Sequence, residues 1–537
     1  MKKVRSKRNG VGLKATIGLV IVILTVATLA IGNAQAQRLT VSGDSLFLTQ
    51  RSDVRVQLVG SDADFINGFG IQNPINQDLF RCRREVPVGF SLFIGNQEAA
   101  ELRFRLTTPE GFTYFTGPGD RNPDGQVHVR YQVISPDQVR IEWEDLFDLG
   151  DKDFNDCIVD ILAVPVGLPL MEVTHIKFDH TGPDTNTSDG LNIRRDFFND
   201  LAHIGNGLGA GEWIKDIRNE PALYVANQTV TIQARIMVHP DTITSADIEA
   251  TALNGLLPDI VKRRVDFVNG ISSPEYVTFS FDRPTGSTIN IAVDSWEWRA
   301  SNIVGSRAGE LFDASGPHTV YTVLDVPKSP WYDNAAQHPW VSALEFTIVT
   351  ASTLGIGMIP DATSKVTTFL HSDYGLKYDT EFGAPSYATG NTRLNPTFNL
   401  TNFISRTTAI VNCYDLAAAV STMSDLIGSA SNYHFMEPFG FINVTSLIGI
   451  GNSCNDPFFD APNTCLRPKD ETDPRSAFGN HAFVQSPNVY DANVGPHLGT
   501  ETLAQYIANS IDTSTRDEAA AAGGVGNVMR AATIKLQ

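Results

Sequence analysis

Two hydrophobic periods divide this sequence. In its first half apolar and polar residues alternate in short bursts separated by Gly, Asn, Asp and Pro, the pattern of strands with one buried face. The bursts Asp53–Val59, Gly89–Ile94, Glu101–Leu106, Val127–Val133 and Val139–Phe147 predict a first all-β unit, a sandwich, over residues 37–166. A second set predicts an Ig-like β-rich unit over residues 167–329: Leu223–Val225, Thr229–Met237, Val277–Phe281, Ile289–Val293, Trp296–Trp298 and Pro317–Val323. The prolines in Leu324–Pro330 predict a short stiff linker. Beyond it the apolar spacing changes to three and four, and Trp340–Ile348, Ala362–Tyr374 and the stretch after Cys413 predict helices. In the last of these, Leu416, Ala417, Val420, Met423 and Ile427 share a face. Alternation returns at Ala482–Gln485 and Val489–Asp491, two strands joined by a turn at Ser486-Pro487-Asn488. The fold class is therefore multidomain: two β-sandwich units followed by an α+β unit over residues 330–537.

Some stretches stand outside this scheme. Residues 1–36 carry Lys2, Lys3, Arg5, Lys7, Arg8 and Lys14 ahead of an apolar run from Ala15 to Ile31, then Ala34-Gln35-Ala36. That order predicts a signal peptide cleaved after Ala36, with an uncleaved anchor as the alternative, and places the protein outside the cytoplasm: secreted, periplasmic or on the cell surface. No later stretch is apolar enough to span a membrane. Gly190–Ile217 predicts a short helix at Arg194–His203 and lacks the strand-to-helix context of a phosphate loop. At the far end, Val528–Leu536 predicts a terminal strand.

Charge narrows the partners. Loss of the leader removes six basic residues and no acidic one, taking the formal charge from −19 to −25. So acidic a chain is a poor nucleic-acid binder, and its carboxylates suit solubility and divalent cations. The five cysteines are Cys82, Cys157, Cys413, Cys454 and Cys465. An odd number in an exported chain predicts one free thiol. Pairing Cys82 with Cys157 and Cys454 with Cys465 leaves Cys413 reduced; a zinc site of Cys454, Cys465 and His481 is the alternative.

Two stretches carry candidate chemistry. Between two β bursts the loop holds Glu144, Asp145, Asp148, Asp151, Asp153, Asn155 and Asp156. Hard oxygen donors at that density suit Ca²⁺, and without a cation their repulsion is costly. Glu144, Asp145, Asp151, Asp153, Asn155 and Asp156 are the expected ligands, in a spacing that is not an EF-hand; a solvated acidic turn plugged by Phe154 is the plainer reading. The second stretch is Cys413, at or just inside a helix start where unpaired N–H groups favour a thiolate. Downstream, an antiparallel hairpin centred near Ser486 sets Phe483 across from Val489 and His481 across from Asp491. Nucleophile, base and orienter are then all present. A half-buried core cysteine is the alternative. His434 and His497 are rival bases, each without a carboxylate on an opposed strand. The Cys413 N–H is the expected oxyanion donor, with Trp340, Tyr414 and Asn412 as wall residues and residues 375–390 as a cleft-lining loop.

The motifs NCYDLAAAV, NHAFV and NVYDAN, in that order, resemble the transglutaminase-like superfamily of papain-like cysteine enzymes, over about Trp331–Tyr506. Asn412 stands where that family often has glycine, and the run between the cysteine and histidine motifs is long. The resemblance implies acyl transfer on protein or peptide amides through Cys413, His481 and Asp491, as peptidase, amidase or crosslinking enzyme, with no organic cofactor. The first unit, with its Trp-Glu-Asp element, the run GDKDFNDC and the upstream DADF and NGFG, resembles the DUF4114-type domain of exported bacterial proteins. Alternatives from other classes are a non-catalytic, calcium-stabilised structural or adhesive protein meeting cell-surface or matrix components, and a carbohydrate binder using Trp296 and Trp298. An open groove over Cys413 favours the enzyme; a sealed sulfur favours the scaffold.

Overall fold

In the computed structural model, residues 37–63, 65–82, 88–166, 169–181, 186–195, 211–459, 465–468, 475–512 and 528–537 are described. The leader expectation and residues 196–203 of the expected Arg194–His203 helix lie outside them. Arg194 itself is extended, in a bridge with Trp340. No helix among the described residues is long and apolar enough to cross a membrane.

β-sheet regions come first and clustered helices follow, between residues 341 and 510. In the first region two sheets share one core. One runs in the order Leu39–Ser42, Ser45–Leu48, Ala100–Thr107, Gly68–Asn73, Gln77–Arg81, with Thr113–Phe115 added beside Ala100–Thr107. The other runs Ser91–Gln97, Ser52–Gly60, Cys157–Pro165, Gln138–Trp143, Val129–Ser135. Alternation does the sorting. Val139, Ile141 and Trp143 point into the core, where Trp143 meets Phe69 at 6.2 Å, while Arg140 and Glu142 face outward. The strand expected over Val139–Phe147 stops at Trp143, because the carboxylates of Glu144 and Asp145 turn into the loop that follows. The Cys82–Cys157 disulfide ties the end of one sheet to the start of a strand in the other.

In the second region eleven strands join in one branched hydrogen-bonded sheet around a single core, with Val277–Ser280 pairing off the main path beside Thr231–His239. The long hairpin Asn290–Val304 and Leu311–Val323 carries pairing across, and Ala222–Val225 adds to it in parallel. Trp296 and Trp298 are wholly buried, with indole N–H groups donating to Pro258 O and Ser315 Oγ, both at 2.9 Å. They are core residues, which removes the carbohydrate-binding surface. His318 lies among Phe178, Trp213 and Trp296, and burial pushes its pKa down to about 3, so it is a neutral structural ring.

The third region is built on the Cys413–Leu426 helix. A five-stranded antiparallel sheet covers it, in the order His497–Leu498, Asn488–Asp491, His481–Ser486, Asn432–Glu437, Val528–Ala532. Every residue of the helix except Tyr414 is buried, not only the apolar face. Small residues (Ala418, Ala419, Ser421) let neighbours approach closely, and the polar ones satisfy each other: Ser421 Oγ and Ser431 N both donate to Asp425, at 2.9 Å. The expected helices at Trp340–Ile348 and Ala362–Tyr374 appear as Val341–Glu345 and Ile359–Thr368, each running on into a wider turn. The Leu324–Pro330 stretch is no free spacer. Lys328 N donates to Asp425 O at 2.9 Å, and Asp325 packs against Gly428, whose φ of 103° and lack of Cβ permit the approach. Leu223, Val225, Tyr321 and Val323 of the second region extend into the third region's core.

Candidate functional site

Asn412 opens the helix. Its side chain accepts from Tyr414 N (2.9 Å) and Asp415 N (3.3 Å), while the Asp415 carboxylate accepts back from Asn412 N (3.1 Å), a capping box. Asn412 Nδ2 also donates to Gly383 O at 2.8 Å. Asp415 takes three further N–H groups, from Ser386, Tyr387 and Ala388. Residues 375–390 are thereby wrapped around the helix mouth, and Tyr378 pairs with Val411 just ahead of it. Burial raises the Asp415 pKa to about 6 against those donors. The Asn412 cap thus uses the N–H groups of Tyr414 and Asp415 and not that of Cys413.

Cys413 is reduced, and both expected disulfides are present, Cys82–Cys157 and Cys454–Cys465. With those two sulfurs joined and His481 engaged elsewhere, the zinc alternative falls. His481 begins its strand, and its Nε2 is 2.7 Å from Asp491 Oδ2. The expected register is off by one residue on each strand: Gln485 pairs with Val489 and Ser486 with Asn488, so the turn centres on Pro487. Continued, that register sets Asp491 beside Phe483 and diagonal to His481. The displacement keeps both side chains on one face, and diagonal neighbours lie within reach of long side chains.

Asp491 is densely solvated by the protein. Oδ1 accepts from Asn493 N (2.7 Å) and Val494 N (3.4 Å), and Oδ2 accepts from Tyr506 OH (2.8 Å) as well as from His481. Burial works against its charge, yet the His481 ring, His497 and Tyr506 hold its pKa below the usual carboxylate range. Burial also opposes charge on His481, but the Asp491 charge and hydrogen bond, with a further hydrogen bond to Cys413, lift the ring to about 10. With Nε2 bonded to Asp491, Nδ1 is the ring's second nitrogen. Tyr414 OH donates to Asn480 Oδ1 at 2.5 Å, fastening the helix start to the residue before His481. The Phe439 ring lies 4.7 Å from the imidazole.

The cluster is nearly closed: Cys413 is 5% exposed, His481 1% and Asp491 2%. Of the expected wall residues, Asn412 is a cap, Tyr414 is a strut to Asn480, and Trp340 is a core residue against Trp331 (5.9 Å). His434 stacks on Phe483 at 5.8 Å, and burial lowers its pKa. His497, expected to lack an opposed carboxylate, lies directly across from Asp491 in the ladder, although its Nδ1 bonds Glu501. Neither the capping box nor Tyr506 was read from the sequence; the first was visible as Asn412-x-x-Asp415, the second had no local signal.

In the acidic loop, Glu144, Asp153 and Asp156 converge, one oxygen of each within 4.8 Å of the others. Asp145, Asp151 and Asn155 brace the loop instead. Asp145 N donates to Asp156 Oδ2 at 2.7 Å, Asp153 N to Asp151 Oδ1 at 3.4 Å, and Asn155 Nδ2 to Asp153 Oδ2 at 2.7 Å. Burial raises the Asp156 pKa to about 7, with Asp145, Glu144 and Asp153 adding repulsion; burial raises Glu144 as well.

No protein-family model matches the sequence. No curated protein matches it either. Among solved structures, the crystal structure of red sea bream transglutaminase overlaps the chain at 10% identity and a TM-score of 0.28, over 52% of this chain and 47% of that one. An overlap of that extent establishes neither fold nor activity.

Proposed function

We propose that residues 330–537 are a thiol acyl-transfer enzyme of the transglutaminase-like type, carried behind two β-rich units on an exported protein. The observation that carries this reading is the buried His481 Nε2–Asp491 Oδ2 hydrogen bond of 2.7 Å, together with a reduced cysteine that opens a helix and helps to raise the His481 pKa. Asp491 fixes the ring's tautomer and supports its positive charge, and His481 in turn supports a thiolate. The sulfur attacks the carbonyl carbon of a peptide or side-chain amide, and the Cys413 N–H holds the oxyanion. The C–N bond breaks as the departing nitrogen takes a proton from His481, leaving a thioester. Water or a second amine adds to the thioester, gives its proton to His481, and the C–S bond breaks to return the thiolate. Water as acceptor makes a peptidase or amidase; an amine makes a crosslinking enzyme.

The test is capture of Cys413. In native protein, iodoacetamide should label one cysteine, and Cys413→Ala should abolish both that label and the incorporation of a fluorescent primary amine into a glutamine-bearing peptide. Labelling that persists in Cys413→Ala would remove the free-thiol nucleophile from the reading.

A second reading is a non-catalytic, calcium-stabilised surface protein of structural or adhesive role. The observation in its favour is the 5% exposure of Cys413, since an enzyme working from this arrangement must first uncover its sulfur. Protein that labels at Cys413 only once unfolded would decide for it.

A further inference from the structure

We propose that the loop joining Gln138–Trp143 to Cys157–Pro165 is a Ca²⁺ site, with Glu144, Asp153 and Asp156 as its carboxylate ligands. The site belongs to the first region and stands whether or not the third is an enzyme. Three carboxylates gathered at one place would carry nothing by themselves, because acidic turns are common. The second observation is an orphaned atom. Glu144 is 0% exposed, and its Oε2 has no hydrogen-bond partner. A buried carboxylate oxygen left that way costs more than folding usually tolerates, unless a cation is there to meet it. Asn67 repeats the pattern beside it. Its Nδ2 donates to Asp145 Oδ2 at 2.6 Å, while its buried Oδ1 has no partner.

Nearby guanidinium groups are committed elsewhere. Arg130 lies over the Phe154 ring at 3.8 Å, and Arg140 pairs with Asp160 at 2.8 Å. The donor set is all oxygen and carries three negative charges, which selects a hard divalent cation over a thiophilic one. Coordination habit favours calcium: Ca²⁺ accepts an irregular shell of six to eight oxygens, whereas Mg²⁺ demands a near-ideal octahedron and gives up its waters reluctantly. Water or main-chain oxygens would complete the shell. The backbone is already shaped for such a loop: Asp148, Leu149, Lys152 and Phe154 all adopt positive φ near 60°, a conformation these residues take only when their surroundings impose it. The ion would sit next to Cys157, and so beside the disulfide that joins the two sheets.

Full-length protein stripped with EDTA and titrated with Ca²⁺ should show its lowest thermal transition rise by about 5 °C or more near saturation. Mg²⁺ at the same concentration should give a much smaller rise. Asp153 is exposed, so Asp153→Asn should fold normally, as far-ultraviolet circular dichroism would confirm, and lose most of the Ca²⁺ shift. Glu144→Gln should melt higher than wild type in EDTA, because a repulsion is relieved, and should respond little to Ca²⁺. Terbium luminescence sensitised by Trp143 should appear in wild type and vanish in both variants. An undiminished shift in Asp153→Asn and Glu144→Gln overturns the ligand set, and an equal Mg²⁺ shift overturns calcium. Iodoacetamide labelling of Cys413, followed in the same samples, reports the acyl-transfer proposal separately and should not change with Ca²⁺.

Discussion

Asp491 and Asp156 are both buried carboxylates, and their surroundings treat them in opposite ways. Asp491 accepts from an imidazole, a phenol and two backbone N–H groups, and is held ionised. Asp156 accepts the Asp145 N–H but faces Glu144 and Asp153, and its pKa rises to about 7. The contrast separates a charge the chain neutralises from its own residues from one that awaits something the chain does not supply. The first is a finished ion pair suited to orienting a base. The second is an acidic cluster that could coordinate a metal ion.

Breaking the finished pair should have the largest effect. Asp491→Ala strands the His481 ring in a dry site and should cost about 3–5 kcal/mol by urea unfolding. It should also slow Cys413 alkylation, because the ring loses the support for its positive charge. A smaller effect comes from pH, and the two sites should respond in different pH windows. His481 has an ordinary pKa of 6.5 and a folded value of about 10, so its contribution is complete below 6.5 and is lost as pH rises toward 10. Asp491 is depressed, so its contribution is present above 3.8 and lost as pH falls through its lower folded value. Asp156 is raised from 3.8 to about 7, so in EDTA the fold around it should weaken as pH climbs from about 4 to 7, a window in which the His481–Asp491 pair itself keeps its contribution up to about 6.5. Hydrogen exchange followed region by region should resolve the two trends; parallel trends would erase the distinction between the sites. Smallest is the cap. Asn412→Ala should cost about 1 kcal/mol by urea unfolding and loosen residues 375–390 without altering the first region.

The parts of this arrangement that were legible in the sequence are those set by local rules. The Cys413 helix could be read because its apolar spacing lies in one window, and the two disulfides because each pair falls within one predicted unit and leaves Cys413 over. The hairpin placed His481 and Asp491 on one face even though its register was wrong, since strand parity survives a displacement of one residue on each side. His497 was misjudged for a different reason: its strand pairs with Asn488–Asp491 only through a turn whose geometry a string of Gly and Pro does not specify. The strand order of the second region could not be read, because pairing partners are chosen by packing and not by alternation.

By itself, then, the sequence determined the periods of the elements and which residues share a face of each, because both follow from side-chain type and spacing. Only the tertiary structure decided that Tyr506 donates to Asp491, that three of the six acidic-loop residues converge while the rest brace them, and that the Cys413 sulfur is covered. Those are outcomes of long-range packing, where distance along the chain no longer measures distance in space.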